Sequence, residues 1–318
     1  MSADRTDSPT VLAIGMVSAD HYLRVASLPE RDEKVHGARL GWFAGGMAAN
    51  FAVAARQFCS GTRLVTTFGD DAEAAAIRRR LEALGIDLRG SAEAAGCGSL
   101  TAVTTIDDRA EKSMVILDPG LPLPDVEACV SEAAGGDWDV VYPVALDAAW
   151  CGEIGAAARK AGALVAFDLE PYFVASAWDT PDFVRMMGSA GVVFMKMDSV
   201  RAAGLSGAAA AAEALQRLGA GVVVVTDGPG VTYCAAGDTR CTATPPAVTV
   251  ADSTGAGDAF AGAFCALYAQ RRPLPECLAT ATAIGSLATT EFGCQTYAPL
   301  RPAPFGRLLS EVTVRHVR

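Results

Sequence analysis

The segment Gly221-Val222-Val223-Val224-Val225 constrains the fold more than any other part of the chain. Four consecutive β-branched apolar residues have no polar face to give to water, so a strand made of them must be covered on both sides. Similar short apolar runs fall at residues 11–15, 63–67, 139–142, 164–167 and 191–195. Segments with helical spacing separate them, at 47–58, 71–84, 125–133, 147–161, 183–187 and 207–218, and Gly85, Gly162 and Gly219 stop three of them. This alternation predicts an α/β fold with a mostly parallel central sheet and helices on both faces. Two stretches break the pattern. Residues 22–27 and 35–43 alternate apolar and polar around Leu28-Pro29-Glu30-Arg31-Asp32, and residues 100–106 and 112–117 do so around a polar turn, with Pro119-Gly120 ending the second excursion. They predict a small sheet standing off the main one, either a lid or a decorated edge. A hairpin at 231–235 and 239–243 is expected at the sheet edge, and helices at 256–270 and 274–290 are expected to close the domain. The whole chain, 1–318, reads as one α/β domain with excursions at about 17–44 and 98–118.

Composition removes several function classes. A net charge of −10 and a pI near 4.8 argue against general binding to nucleic acid or anionic membranes. No apolar run approaches the roughly 20 residues of a membrane span. The polar first ten residues resemble neither a signal peptide nor a basic transit segment, so a cytoplasmic protein with a frayed start is expected. The nine cysteines include no C-x-x-C pair, and an odd count in so long a chain is not a disulfide framework. With only His21, His36 and His316, zinc chemistry and histidine-activated nucleophiles have little to work with.

The stretch with the clearest chemistry is Asp252-Ser253-Thr254-Gly255-Ala256-Gly257-Asp258-Ala259-Phe260. An extended Val/Thr segment at 247–251 precedes it and a small-residue helical run follows. A strand, a glycine-rich turn and a helix aim backbone N–H groups at an anion. The turn carries one carboxylate, Asp258, where a general base could face whatever the nest holds. Alternatively it is a plain strand-to-helix turn with an acid in the first helical turn, which the helix dipole favours anyway.

The chain contains no G-x-x-x-x-G-K-[ST] and no G-x-S-x-G, and no G-x-G-x-x-G follows a strand to open a helix. The 252–260 stretch instead resembles the D-T-x-G-A-G-D-x-F signature of ribokinase-like carbohydrate kinases of the phosphofructokinase-B type, with Ser253 in place of Thr. Gly45-Gly46-Met47-Ala48-Ala49-Asn50 is similar to that family's G-G-x-x-x-N, Gly69-Asp70-Asp71 to its G-D-D, and Gly15 to Asp20 to its opening G-x-x-x-x-D. The resemblance implies a three-layer α/β/α fold with a β-sheet lid, ATP and Mg²⁺ as cofactors, and a sugar or sugar-like substrate.

It also implies roles for residues. Asp258 takes the proton of the substrate hydroxyl, and the amides of Gly255, Ala256 and Gly257 form the anion hole for the transferred phosphoryl. Asp20, Gly45, Gly46 and Asn50 bind substrate hydroxyls. Thr226, Gly228 and Gly230 form the nucleotide loop, with Gly230 one position earlier than the family glycine. Gly293 matches a family glycine, and Thr282 stands where many members place an adenine-side Asn. Asp252 and Thr254 mark a place where a monovalent cation such as K⁺ is often held.

One segment departs from the family. Its usual N-x-x-E, which organises Mg²⁺, is Asp198-Ser199-Val200-Arg201 here. Asp198 is the candidate metal ligand, because hard cations favour carboxylate oxygen. Lys196 is placed to meet phosphate, and Asp168 ends the 164–167 strand at the edge where α/β ligands bind. Three readings follow: a kinase of a sugar or sugar-like alcohol, a nucleoside kinase of the same fold with Trp42, Phe43 and His36 beside the base, and a catalytically weak sugar- or nucleotide-binding sensor. The resemblance further implies a homodimer formed through the lid sheet, whose edges need protection.

Overall fold

The structure, a computed structural model, describes residues 8–109 and 111–317. In chain order its elements are β1 (Thr10–Ile14), β2 (Ser18–Val25), β3 (Gly37–Gly45), α1 (Met47–Arg56), β4 (Gly61–Val65), β5 (Thr67–Phe68), α2 (Ala72–Ala83), β6 (Ala92–Glu93), β7 (Thr101–Ile106) and β8 (Lys112–Leu117). They continue with α3 (Val126–Gly135), β9 (Val140–Pro143), α4 (Ala148–Lys160), β10 (Leu164–Leu169), α5 (Pro171–Ala177), α6 (Pro181–Ser189), β11 (Val192–Lys196), α7 (Met197–Ala202) and α8 (Ala208–Arg217). The last are β12 (Val222–Thr226), β13 (Thr232–Ala236), β14 (Thr239–Thr244), α9 (Ala256–Ala269), α10 (Leu274–Ala288), α11 (Pro302–Glu311) and β15 (Thr313–His316). The frayed start expected for the first ten residues falls largely on 1–7, outside the described residues.

Nine strands form the central sheet in the order β15-β14-β13-β12-β11-β10-β9-β1-β4. From β12 to β4 all neighbours are parallel, whereas β13, β14 and β15 add antiparallel pairs at one edge. Because alternate residues of a strand point to opposite faces, the apolar runs split between two cores. In β1, Val11 and Ala13 join the core beneath α1, α2, α9 and α10, whereas Leu12 and Ile14 join the one beneath α3, α4, α6 and α8. All four are fully buried, and so are Val223 and Val224. Burial of each of these Val, Leu and Ile side chains contributes about 1.5–3 kcal/mol, which is why strands without a polar face sit here.

The two excursions meet in a second sheet, β3-β2-β7-β8. β2 and β3 are antiparallel, as are β7 and β8, and β2 joins β7 in parallel. One side carries Asp20, Tyr22, Ala102 and Thr104, all buried, whereas every residue of β8 is exposed.

Two expectations require correction. The segment 247–251 is not a strand; residues 245–250 are irregular. Pro245 and Pro246 follow β14 directly and offer no N–H to a ladder, and the free side of β14 is taken by β15. The edge of the sheet is therefore β15, reached through α11, and not the β13–β14 hairpin. Among the described residues, no helix is long and apolar enough to cross a membrane.

Candidate active site

The glycine-rich turn is built by its neighbours. Gly255 adopts left-handed backbone geometry (φ +75°), and a Cβ there would lie 2.9 Å from Cβ of Cys294 and 3.0 Å from Nδ2 of Asn50. Only glycine meets both requirements. α9 starts at the next residue without a side-chain cap, so its first-turn N–H groups have no side-chain partner, that of Ala256 donating to the Ser253 carbonyl at 3.4 Å. The turn is held from below by Asp252. Its Oδ1 accepts from the backbone N–H of Thr254 at 2.9 Å and from the Thr254 hydroxyl at 2.6 Å, and its Oδ2 accepts from the N–H of Gly293 at 3.3 Å.

Asp258 lies in the first turn of α9 and is buried. Its Oδ2 accepts from Nδ2 of Asn50 at 2.9 Å, and Oδ1 of Asn50 accepts from Nε2 of Gln295 at 3.1 Å. Burial pushes the Asp258 carboxyl up to about 8; the Asn50 hydrogen bond and Lys196 pull it down, while the charges of Asp168 and Glu170 push it further up. Asp168, at the end of β10, is pushed up to about 7 by burial and by Glu170.

Lys196 ends β11 and donates to Oε1 of Glu170 at 2.6 Å. Its stem passes over the nest, since a Cβ at Gly257 would lie 3.7 Å from its Cε. Burial disfavours this ammonium, but Glu170, Asp168 and Asp258 outweigh it and hold its pKa above the ordinary lysine value. Glu170 precedes α5 without capping it, its carboxylate turned to Lys196 instead.

Asp20, Gly45, Gly46 and Asn50 come together on the lid side of the cleft. Asp20 is buried on β2 and accepts from the Ser18 hydroxyl at 2.6 Å and from Sγ of Cys294 at 3.5 Å. Its carboxyl is raised, chiefly by burial. A Cβ at Gly45 would overlap that carboxylate, and one at Gly46 (φ +96°) would lie 2.6 Å from the carbonyl of Met16. These two glycines are thus required for close backbone approach.

The nucleotide-side expectations divide. Thr226 ends β12 with its hydroxyl on the carbonyl of Met195 at 3.4 Å, and Gly228 and Gly230 lie in the turn that follows, the N–H of Gly230 donating to the carbonyl of Asp227 at 2.7 Å. Thr282 is buried within α10 and its hydroxyl donates to the carbonyl of Leu278 at 2.7 Å. Asp198 lies in the first turn of α7. Its side chain is 67% exposed and pairs with Arg201 one helical turn on; the carboxylates acting on Lys196 are Glu170, Asp168 and Asp258. Among the described residues, no group of three or more His, Cys, Asp or Glu is placed to hold a metal on its own. The side-chain oxygens of Asp252 and Thr254 do not fit a monovalent cation, because the Lys112 ammonium already lies 2.7 Å from the Thr254 hydroxyl and 3.8 Å from Oδ1 of Asp252.

Sequence reasoning missed Glu170, Gln295, Cys294 and Lys112. Glu170 had a signal, since it lies two residues beyond Asp168 at a strand end, and Lys112 is the only charge in an otherwise uncharged lid strand. Gln295 and Cys294 had none.

The pfkB family carbohydrate kinase model matches residues 8–301. A nucleoside kinase of Methanothermobacter thermautotrophicus is 26% identical over 300 residues, covering 94% of this chain and 94% of that protein. A fructokinase of Klebsiella pneumoniae is 28% identical over 276 residues, covering 81% and 89%. Among solved structures, Arabidopsis thaliana ribokinase in complex with ribose and ATP superimposes with a TM-score of 0.76 at 22% identity, covering 95% of this chain and 99% of that one, a likeness in fold. With its three-layer α/β/α architecture and lid, the chain belongs to the pfkB family of carbohydrate kinases.

Proposed function

We propose that the protein transfers the γ-phosphoryl group of ATP to a hydroxyl of a sugar or sugar-like substrate, with Asp258 as general base. The observation that carries this reading is the placement of one buried carboxylate in the first turn of α9, beside an uncapped glycine nest and hydrogen-bonded to Asn50. The acceptor oxygen forms a bond to phosphorus as the bridging oxygen bond to ADP breaks, and its proton passes to Asp258. The amides of Gly255, Ala256 and Gly257 face the charge that develops on the phosphoryl oxygens, with the Lys196 ammonium above them. Asp20 and Asn50 orient the acceptor, which approaches the backbone at Gly45 and Gly46. Thr226, Gly228 and Gly230 border the nucleotide. Asp168 and Glu170, the carboxylates nearest Lys196, would be the side chains to hold Mg²⁺ brought by ATP, which would supply charge neutralisation at the phosphates; no step is assigned to K⁺.

For Asp258 to accept a proton it must be ionised, and burial opposes this. The Asn50 amide and the Lys196 ammonium favour the ionised form. The direct test is coupled ADP release in Mg·ATP with D-ribose, D-fructose, adenosine, inosine and cytidine as acceptors. Turnover with at least one acceptor that is lost in Asp258→Asn supports the assignment; a variant near wild-type turnover removes it.

A nucleoside acceptor is the second reading. A cavity of about 420 Å³ adjoins the acceptor residues and is lined by Trp42, Phe43, Arg80, Gln295 and Thr296. The Phe43 ring is committed to packing, edge-on against Tyr22 and close over Gly293, so Trp42 is the aromatic surface left to meet a base. Preference for a nucleoside over D-ribose and D-fructose in the same panel would select this reading.

A further inference from the structure

Lys112 is the first residue of β8, at the free edge of the lid, where it is paired in register with Ile106. The other five residues of β8 are uncharged and exposed. The Lys112 side chain behaves differently: it leaves the lid, crosses to the main domain, and is only 31% exposed. Its Nζ donates to the Thr254 hydroxyl at 2.7 Å and lies 3.8 Å from Oδ1 of Asp252, which is itself almost wholly buried. The Thr254 hydroxyl in turn donates to that same Oδ1. The result is a closed triangle of ammonium, hydroxyl and carboxylate at the turn that immediately precedes Gly255. Burial holds the Lys112 pKa below the ordinary lysine value, and the Asp252 charge offsets part of that.

The placement is costly unless it serves a purpose. A lysine at a lid edge could extend into water and lose nothing, whereas here its long side chain is fixed at one geometry. Asp252 has no other cationic partner in the structure's ion pairs among the described residues; its other partners are the N–H groups of Thr254 and Gly293, the Thr254 hydroxyl and the Tyr22 hydroxyl. A buried carboxylate stripped of its cation is destabilised and would shift the turn it holds.

We infer that Lys112 is a positioning residue for phosphoryl transfer: reaching from the lid, its ammonium anchors the Asp252–Thr254 turn and through it fixes the Gly255–Gly257 amides in their transfer-ready arrangement. This deepens the kinase reading above and rests on it. The lid and the nest are thereby coupled through one side chain, and the anion hole is complete only while the lid lies over the cleft.

The test has two independent readouts on Lys112→Ala and Lys112→Arg. With whichever acceptor of the panel turns over, Lys112→Ala is expected to lower kcat about 10- to 100-fold, as for loss of a hydrogen bond to a charged group, with the acceptor KM changed less than about threefold. Lys112→Arg is expected to recover most of the loss. Backbone hydrogen exchange of the full-length protein, which needs no turnover, should be about tenfold faster at 252–258 in Lys112→Ala while β2 and β7 exchange as in the wild type. Wild-type kcat together with unchanged exchange at 252–258 would overturn the inference, as would a loss confined to KM. If Asp258→Asn keeps its activity, the Asp258 base assignment fails, and the exchange measurement still decides whether Lys112 holds the turn.

Discussion

Asn50, near the start of α1, donates its side-chain amide to Oδ2 of Asp258 in α9 across 2.9 Å and 208 positions of sequence. The contact joins the acceptor-side motif to the phosphoryl-side motif. Gln295 fixes the orientation of the amide by donating to its oxygen, so the N–H end of Asn50 faces the carboxylate.

Asn50→Ala is therefore expected to raise the Asp258 pKa further, because it removes a hydrogen bond that favours the ionised form. The acid limb of the pH profile of kcat/KM should move to higher pH, with kcat at neutral pH lower by about tenfold or more. An unmoved acid limb would show that the amide does not tune the base.

Asp258→Asn is expected to cost about 10²- to 10⁴-fold in kcat and to change the pH dependence of stability. The native carboxyl titrates near 8 and Asp168 near 7, both above the ordinary value of 3.8. The folded state thus binds more protons than the unfolded one between about pH 4 and 8, and stability falls as pH rises through that window. The variant lacks the Asp258 share of this loss. Its Tm relative to wild type should climb from pH 5 to pH 8, as followed by differential scanning fluorimetry without ligand; a constant offset would contradict the raised pKa.

Gly45→Ala places a methyl group on the Asp20 carboxylate. The acceptor KM should rise about tenfold or more, since small displacements of positioning groups are costly, while the KM for ATP stays within about twofold. Equal increases in both would mean that the damage is not local to Asp20.

Lys196→Met removes the ammonium above Gly257 and leaves Glu170 without its partner. A fall of about 10²-fold in kcat/KM for ATP is expected, in line with loss of one charge aimed at the transferred group. Steady-state kinetics at saturating acceptor would measure it, and a change below about threefold would place Lys196 outside the transfer step.

The exposed strand β8, with Val115, Ile116 and Leu117 each more than half exposed, supports a homodimer formed through the lid. Sedimentation velocity should find a dimer for the wild type and a monomer for Val115→Lys/Ile116→Glu. A wild-type monomer at micromolar concentration would rule the dimer out.

The sequence by itself determined the layers and the motifs. A strand such as 222–225 has no face for water, so helices on both sides follow from composition and period alone, and the two excursions follow from their alternation. Local patterns also put Gly255 and the Gly45-Gly46 pair where the backbone needs glycine, whereas the roles proposed for them and for Asp258 came from the resemblance of their motifs.

What only the tertiary structure decided are the contacts between segments distant along the chain. The Asn50–Asp258 bond, the Glu170–Lys196 pair and the reach of Lys112 to Thr254 depend on which strand ends lie side by side, and strand order is not written in any one segment. The same holds for Asp198, whose residue type suited a metal but whose place on α7 turns it to Arg201 and water. It holds too for 247–251, whose β-favouring residues found no free strand edge once β15 had paired with β14. Propensity and residue type act locally, whereas edges, partners and burial are properties of the assembled sheet.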